Sequence, residues 1–333
     1  MCNLNEQILF LYLNKYSTVI IQLLGIFFNF VAIYFLKNDD KCAKKSYKLI
    51  VIIHCLLDIS LGTCYFLGIY QIEIIENTVF IMVDGPLQYI NSYTVHALSY
   101  ITTTFFFCSS VFCGCITIIY RYLVIVRNKN IKTNGIILML IPVFVLSAII
   151  SLQYFFTFCP PKRSDYYIYK NLLENKNWNN TKLYRNEFIA LIIPSFRVVT
   201  PIYKLLEIIS YLVATIIIIL FKILISRYLK NKKNSMSLST LKKEKQTQRT
   251  LIIQALLPIL LVYTPNILLT FAIILHIPLK CYTTFITYCV TYVPLINPCI
   301  ILFLTSQYRT KLFHYIRISK NSVGPSKVSF HLK

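Results

Sequence analysis

TVHALSYITTTFFFCSSVFCGCITIIY, residues 94–120, contains no Lys, Arg, Asp or Glu. An α-helix needs about 20 mainly apolar residues to cross the roughly 30 Å hydrocarbon core of a bilayer. Backbone amides in that core have no water to bond, so a helix is the expected conformation. The stretch therefore predicts a membrane-spanning helix.

Six more stretches share this apolar character, and they set the architecture. The predicted spans are 17–36, 48–69, 94–120, 136–158, 205–226, 250–275 and 282–304. The chain is 56% hydrophobic with a mean hydropathy of +0.63, which is too apolar for a soluble domain of 333 residues. We predict an all-α, seven-transmembrane helix bundle in lipid, with a short amphipathic helix at 307–318 after the seventh span. Residues 1–318 form this one domain, and 319–333 form a mobile, basic cytoplasmic tail.

The basic residues orient the bundle. Of the 34 Lys and Arg residues, 23 lie in 37–48, 121–135, 227–249 and the segment after 305, which fall on one side of the membrane. Basic loops stay in the cytoplasm, so the N-terminus is predicted to be outside. The net charge of +22 then reflects orientation and lipid contact, and we predict no nucleic-acid partner.

The long loop 159–204 is predicted to be external and holds the glycosylation sequon at Asn179. Its end, 188–201, is apolar enough to resemble an eighth crossing. It is short, however, and it contains Arg197 and the helix-breaking residues Pro194 and Pro201. We interpret it as an interfacial or lid-like part of the loop.

Cysteines and catalytic motifs suggest neither a metal site nor an enzyme. Most of the 11 cysteines fall within spans, where cysteine packs as a small apolar residue. Cys2, Cys159 and Cys281 are predicted to be external, so two of them can form a disulfide, but the sequence does not select the pair. No Ser/His/Asp set, zinc-protease motif or phosphate-binding glycine loop is present, so we predict no catalysis, no cofactor and no metal.

Polar residues inside the spans are expected to have a functional or structural role, because a charged group in lipid costs several kcal/mol. Asp58 lies one helical turn beyond His54, so both can share a face. Asn29 in span one and Asn297-Pro298 in span seven lie at similar depths, and Pro298 removes a backbone hydrogen bond and permits a kink. These five residues form either a polar switch with an ion or water site, or a hydrogen-bonded structural core.

The order of several short motifs resembles that of G-protein-coupled receptors. They are Tyr120-Arg121-Tyr122 at the inner end of span three, Pro294 to Pro298 in span seven, and Tyr308-Arg309 after it. Two differences stand out. Related receptors usually carry an acidic residue where Tyr120 stands and a Tyr where Ile301 stands.

Span six brings the resemblance closer to one group. QALLP at 254–258 and YTP at 263–265 resemble the nematode serpentine chemoreceptors of the Str-type superfamily. Gly85-Pro86 and Asp58 make the delta class the nearest within it. Residues 71–107 contain no cysteine that could tie span three to Cys159, unlike the usual arrangement in such receptors.

The resemblance implies a plasma-membrane receptor, in sensory cilia if it is a chemoreceptor. It would bind a small odorant or pheromone-like molecule from outside and signal to a heterotrimeric G protein through Tyr120, Arg121 and Tyr122. Arg121 can alternatively be a simple interfacial anchor. The candidate ligand-binding residues in the outer halves of the spans are His96, Tyr100, Tyr203, Glu207, Tyr211 and Tyr292.

Three alternatives stay open. Tyrosines are common in the aromatic belts of membrane proteins, so each tyrosine candidate can be an interfacial residue instead. Glu207 could neutralise a ligand cation or reach the headgroups. A transporter or ligand-gated channel would use His54, Asp58 and Glu207 as a permeation path, but the chain lacks the internal repeats common in transporters.

Overall fold

A computed structural model describes residues 4–38, 45–75, 78–159, 190–194, 199–232, 288–304 and 308–312, with isolated positions between 237 and 268. Its helices are α1 Leu4–Lys37, α2 Lys45–Gly68, α3 Tyr93–Ile125, α4 Thr133–Thr157, α5 Val199–Asn231 and α6 Val293–Leu304. Asn179, Cys2, Cys281 and the 319–333 tail lie outside the described residues.

Five of the helices are long and apolar enough to cross a membrane, and they confirm predicted spans one to five. Their apolar portions are Tyr12–Lys37, Ser46–Gly68, Tyr93–Ile125, Thr133–Thr157 and Leu205–Asn231. Helix α6 lies within predicted span seven. Residues 308–312 are helical, inside the predicted amphipathic segment, whereas span six lies mostly outside the described residues.

Helix α3 is the centre of the described bundle. In the most apolar stretch of α3, 78% of the residues are buried, compared with 22% in that of α5. Helix α3 packs against α2, α4 and α5. Five small residues in the middle of this helix are buried: Ser109, Ser110, Cys113, Gly114 and Cys115. Small side chains let helices approach closely in lipid, which explains why this sequence takes the central position.

A three-stranded antiparallel sheet caps the end of the bundle that carries the predicted external loops. Strands β1 (Tyr70–Ile75) and β2 (Thr78–Val83) form a hairpin, and β3 (Ala190–Pro194) pairs with β2. The all-α prediction did not include this sheet. Segment 188–201 thus supplies a strand, in keeping with a lid and not with an eighth crossing.

Both faces of the central strand are shielded. Phe80, Ile81 and Met82 are at most 1% exposed. Ile81 and Val83 join the main hydrophobic core together with Leu191 of β3. The sheet is therefore part of the packed core and not a loose surface loop.

Candidate functional site

A buried polar cluster joins α2, α3 and α6. The Ser110 hydroxyl donates to Asp58 Oδ1 at 2.5 Å, and the Asn297 amide donates to Asp58 Oδ2 at 3.0 Å. His54 Nε2 lies 3.3 Å from Ser110 Oγ and 3.4 Å from Asn297 Nδ2. Both oxygens of the carboxylate are thereby satisfied by donors on two other helices. The four side chains can hold the three helices in one register.

Asn29 reaches the same region at a different point. Its Nδ2 donates to Pro294 O of α6 at 2.9 Å and to Gly25 O of its own helix at 2.9 Å. Pro298 lacks the N–H that would normally bond the carbonyl four residues earlier, and that carbonyl belongs to Pro294. Asn29 therefore supplies the donor that the proline removes.

A second amide of α1 repeats this arrangement two turns away. Gln22 Nε2 donates to Thr291 O at 2.8 Å. The usual donor to that carbonyl, the N–H of Leu295, instead bonds Tyr292 O at 3.1 Å, so the chain makes a tighter turn at the start of α6. Helix α1 thus holds the irregular start of this segment through two side-chain amides.

Four rings and one carboxylate meet in the outer half of the bundle. The Tyr154 hydroxyl lies 3.5 Å from Glu207 Oε2, and the Tyr100 ring packs edge-on against Tyr154 at 5.2 Å and Phe158 at 5.9 Å between ring centroids. One turn after Glu207, the Tyr211 hydroxyl lies 3.3 Å from Cys108 Sγ. Glu207 and Tyr211 thus point from α5 toward α3 and α4.

The other ligand candidates lie apart from this group. His96 is buried in the first turn of α3, and its Nε2 lies 3.1 Å from Leu87 O in the 3-10 helix Pro86–Tyr89. The Tyr292 hydroxyl donates to the Tyr288 hydroxyl at 2.6 Å. Tyr203 belongs to α5, but its side chain lies outside the described part of the chain. The structure therefore links Tyr100 to Glu207 through Tyr154 and places Tyr211 one turn further along α5.

The predicted coupling residues lie at the opposite end of α3. Tyr120 is buried, and the Tyr122 ring packs edge-on against Phe221 of α5 with centroids 4.9 Å apart. The guanidinium of Arg121 lies over the ring of Tyr47 in α2, with 4.7 Å between Cζ and the ring centroid.

Comparison with known proteins assigns this arrangement to a family. The family model described as "Serpentine type 7TM GPCR chemoreceptor Str" matches residues 14–313. The chain belongs to this Str chemoreceptor family. The match confirms the predicted resemblance, and it makes this Str receptor an integral membrane protein and not an enzyme.

The solved structures agree on the fold. The Str receptor is similar to the crystal structure of squid rhodopsin, with a TM-score of 0.66 and 12% sequence identity over 95% of this chain and 88% of that chain. At this identity the likeness shows the seven-transmembrane fold alone. No curated protein matches the sequence.

In the Str receptor, hydrogen bonds at Cys159 attach the sheet to the helices. Cys159 is one of the cysteines for which a disulfide was considered. The Cys159 N–H at the end of α4 donates to Ile192 O of β3 at 2.8 Å, and the Tyr93 hydroxyl of α3 donates to Cys159 O at 3.0 Å. Tyr70 of β1 bonds the hydroxyls of Ser99 and Thr103 in α3. The sheet is thereby fixed to two central helices.

An ion pair adds a third attachment. Lys15 Nζ of α1 lies 2.7 Å from Asp84 Oδ1, which is fully buried, and Gln71 Nε2 donates to Asp84 Oδ2 at 3.0 Å. Burial raises the pKa of Asp84 above its ordinary value, although the Lys15 ammonium and the Gln71 amide act in the opposite direction. Burial also raises the pKa of Tyr70 to about 12.

Sequence reasoning missed the partners of the predicted residues. Ser110 carried no distinguishing signal, since Ser is common where helices pack closely. Gln22 could have been found, because it lies seven residues before Asn29 and therefore on the same face of α1. Tyr154 and Lys15 become functional candidates only when the fold brings them to Glu207 and Asp84.

Proposed function

We propose that this Str receptor is a chemosensory receptor that binds a small odorant or pheromone-like molecule from outside and activates a heterotrimeric G protein inside the cell. The family match over residues 14–313 is the observation that carries the proposal. The receptor would lie in the plasma membrane, in a chemosensory neuron that of a sensory cilium. Its N-terminus and a sugar on Asn179 would face the outside of the cell. The delta class within the superfamily stays a prediction.

The ligand would bind beside Tyr100, Glu207 and Tyr211, close to Tyr154. This region supports the proposal because it combines aromatic faces with a carboxylate that is only 9% exposed, on helices α3, α4 and α5. Apolar and aromatic walls with few polar groups are typical of small-molecule sites. His96, Tyr203 and Tyr292 would contribute to recognition only where a larger ligand reaches them.

The switch would be the polar cluster of Asp58, Ser110 and Asn297, with His54 beside it and with the bond from Asn29 to the Pro294 carbonyl, which Pro298 leaves open. A ligand shifts an equilibrium between helix packings only as far as it binds one of them better. Asn297, the α6 member of the cluster, lies between Pro294 and Pro298, and neither proline can donate a backbone hydrogen bond, so this part of the helix is a favourable place to bend. Movement of α6 relative to α3 would then alter the exposure of Arg121.

A ligand screen tests the proposal. The receptor is expressed with a promiscuous Gα subunit and a calcium readout, and tags on both termini are stained on intact cells to fix the orientation. We expect a ligand-triggered signal that Arg121→Ala abolishes at equal surface expression. An unchanged signal in Arg121→Ala contradicts the coupling role, and ligand-dependent current or solute flux in cells that lack the G proteins would favour a channel or transporter.

Glu207→Gln and Tyr34→Leu provide a matched pair for the ligand region. Glu207→Gln keeps the shape and removes the charge, so it should weaken the response to a cationic ligand and leave the response to a neutral one. Tyr34 lies on α1 and is 54% exposed, so Tyr34→Leu should leave both unchanged. Equal responses of Glu207→Gln and wild type to every active cation would remove Glu207 from the site.

A further inference from the structure

The contact between Arg121 and Tyr47 has a favourable geometry for a cation over an aromatic face. Arg121 Cζ lies 4.7 Å from the centroid of the Tyr47 ring. Such pairs attract when the cation lies within about 6 Å of the ring centroid, because the ring face carries negative electrostatic potential. The guanidinium is therefore directed at α2.

Tyr47 is held in place by groups other than Arg121. Its ring stacks on that of Tyr120, with centroids 6.4 Å apart and 22° between the planes. It packs against the main hydrophobic core and against a second buried cluster that includes Phe35, Leu36 and Val51. The preceding residue, Ser46, donates to Ile131 O at 2.7 Å in the connection between α3 and α4. The position of the ring is thus fixed by contacts other than the one with Arg121.

The residue before Arg121 explains why an aromatic platform is useful here. Tyr120 carries no charge at neutral pH, so it cannot hold the guanidinium as a neighbouring carboxylate would. An aromatic face needs no second buried charge, which avoids the desolvation cost of a buried ion pair.

We propose that Tyr47 is a positioning residue that holds Arg121 against α2 in the resting receptor and thereby limits G-protein activation in the absence of ligand. The inference rests on the proposed function, because it requires Arg121 to be the coupling residue. Arg121 has to leave the ring to contact a cytoplasmic partner. A shift of 1–2 Å between helices, of the size common in switching proteins, carries the guanidinium to the limit of the attraction.

The test measures signalling without ligand. Wild type, Tyr47→Leu, Tyr47→Met and Tyr47→Phe are expressed with the promiscuous Gα subunit, and the ligand-independent signal is divided by the surface amount of an N-terminal tag. Leu and Met keep apolar bulk but remove the ring, and we expect the signal to rise about fivefold. Phe keeps the ring and removes the hydroxyl, so its signal should equal that of wild type.

A purely structural role for Tyr47 gives a different result. Loss of packing would lower surface expression without raising the signal per receptor. A rise in Tyr47→Phe equal to that in Tyr47→Leu would assign the effect to the hydroxyl and overturn the inference. Tyr47→Met provides the same measurement if Tyr47→Leu fails to reach the surface.

The outcomes separate this inference from the proposed function. If a ligand activates the wild type and Arg121→Ala abolishes that response, the proposed function holds. Under those conditions unchanged basal signalling in Tyr47→Leu and Tyr47→Met overturns the Tyr47 role alone. Arg121→Ala is measured beside the Tyr47 variants. If the basal signals of wild type and of all Tyr47 variants equal that of Arg121→Ala, and no ligand activates the wild type, the proposed function and the Tyr47 role fail together.

Discussion

Asn29→Leu should destabilise the receptor, because it removes the side-chain donor to Pro294 O. Asn29 is fully buried, so no bulk water replaces the lost bond. A buried polar group left without its partner costs about 1–3 kcal/mol. Each kcal/mol lowers the melting temperature by about 2–4 °C in domains of 150–250 residues and by less in a longer chain, so a loss of a few degrees is expected.

The magnitude can be tied to the proline by a double-mutant cycle. Pro298→Ala restores a backbone N–H that can donate to Pro294 O, so Asn29→Leu should cost about 1–2 kcal/mol less in that background. Pro142→Ala is the matched control, because Pro142 also lies inside a helix, α4, and its substitution restores no donor near Pro294. In the Pro142→Ala background the full cost of Asn29→Leu should remain.

The assay is thermal unfolding of purified receptor, followed with a dye that becomes fluorescent when it reacts with exposed thiols. Cys108 and Cys113 are fully buried and become reactive only when α3 unpacks. Equal losses of melting temperature for Asn29→Leu in the wild-type and Pro298→Ala backgrounds would refute the assignment of Asn29 to the carbonyl that Pro298 leaves open.

Two further predictions concern packing and pH. An added Cβ at Gly25 would lie 3.2 Å from the backbone atoms Leu295 N and Pro294 O, whereas at Gly62 it would lie 3.2 Å from the side chains of Gln22 and Ile26. Gly25→Ala should therefore cost about 1–3 kcal/mol in thermal unfolding, and Gly62→Ala less; equal costs would contradict this close backbone approach. Burial raises the folded-state pKa of Asp84 above 3.8, so its protonated form favours folding, and this contribution is present below pH 3.8 and lost as the pH rises through the folded-state pKa. The melting temperature of wild type minus that of Asp84→Asn should accordingly increase as the pH falls from about 7 to about 4, and a constant or shrinking difference would refute the assignment.

Hydropathy was sufficient for the described spanning helices because the bilayer imposes one solution on apolar sequence. Predicted spans 94–120 and 136–158 correspond to Tyr93–Ile125 and Thr133–Thr157, and the differences lie at the helix ends. Hydropathy reports where water is excluded. It contains no information about a turn of helix in the headgroups.

The sheet was missed for a related reason. Strand β2, TVFIMV, is shielded on both faces and shows no alternation of apolar and polar residues, so the pattern that identifies a half-buried strand is absent. Its enrichment in β-branched residues before Gly85-Pro86 was the available signal. Strand β3 is separated from β2 by more than a hundred residues, and only the fold brings them together.

The polar residues of the proposed switch were predictable individually, and their pairing was predictable only in part. The free-energy cost of a charged group in lipid singled out Asp58, and the neighbouring proline singled out Asn297. The two side chains do form a hydrogen bond with each other. Asn29 was expected beside them, but its amide is directed at a backbone carbonyl. A freed carbonyl is implied by every internal proline, so the rule that each such carbonyl needs a donor could have directed the search to Asn29.

The two kinds of contact on α6 suggest how a small ligand can move this helix. One backbone carbonyl of α6, that of Pro294, is held by Asn29 of α1, whereas the Asn297 side chain is held by Asp58 of α2, which in turn accepts a bond from Ser110 of α3. Rotation of α6 about its axis changes the direction of a side chain strongly and the depth of a backbone carbonyl hardly at all. In the proposed switch, the bond between Asn297 and Asp58 would break while the bond between Asn29 and Pro294 persists, so α1 would be the fixed support and the polar cluster the part that switches.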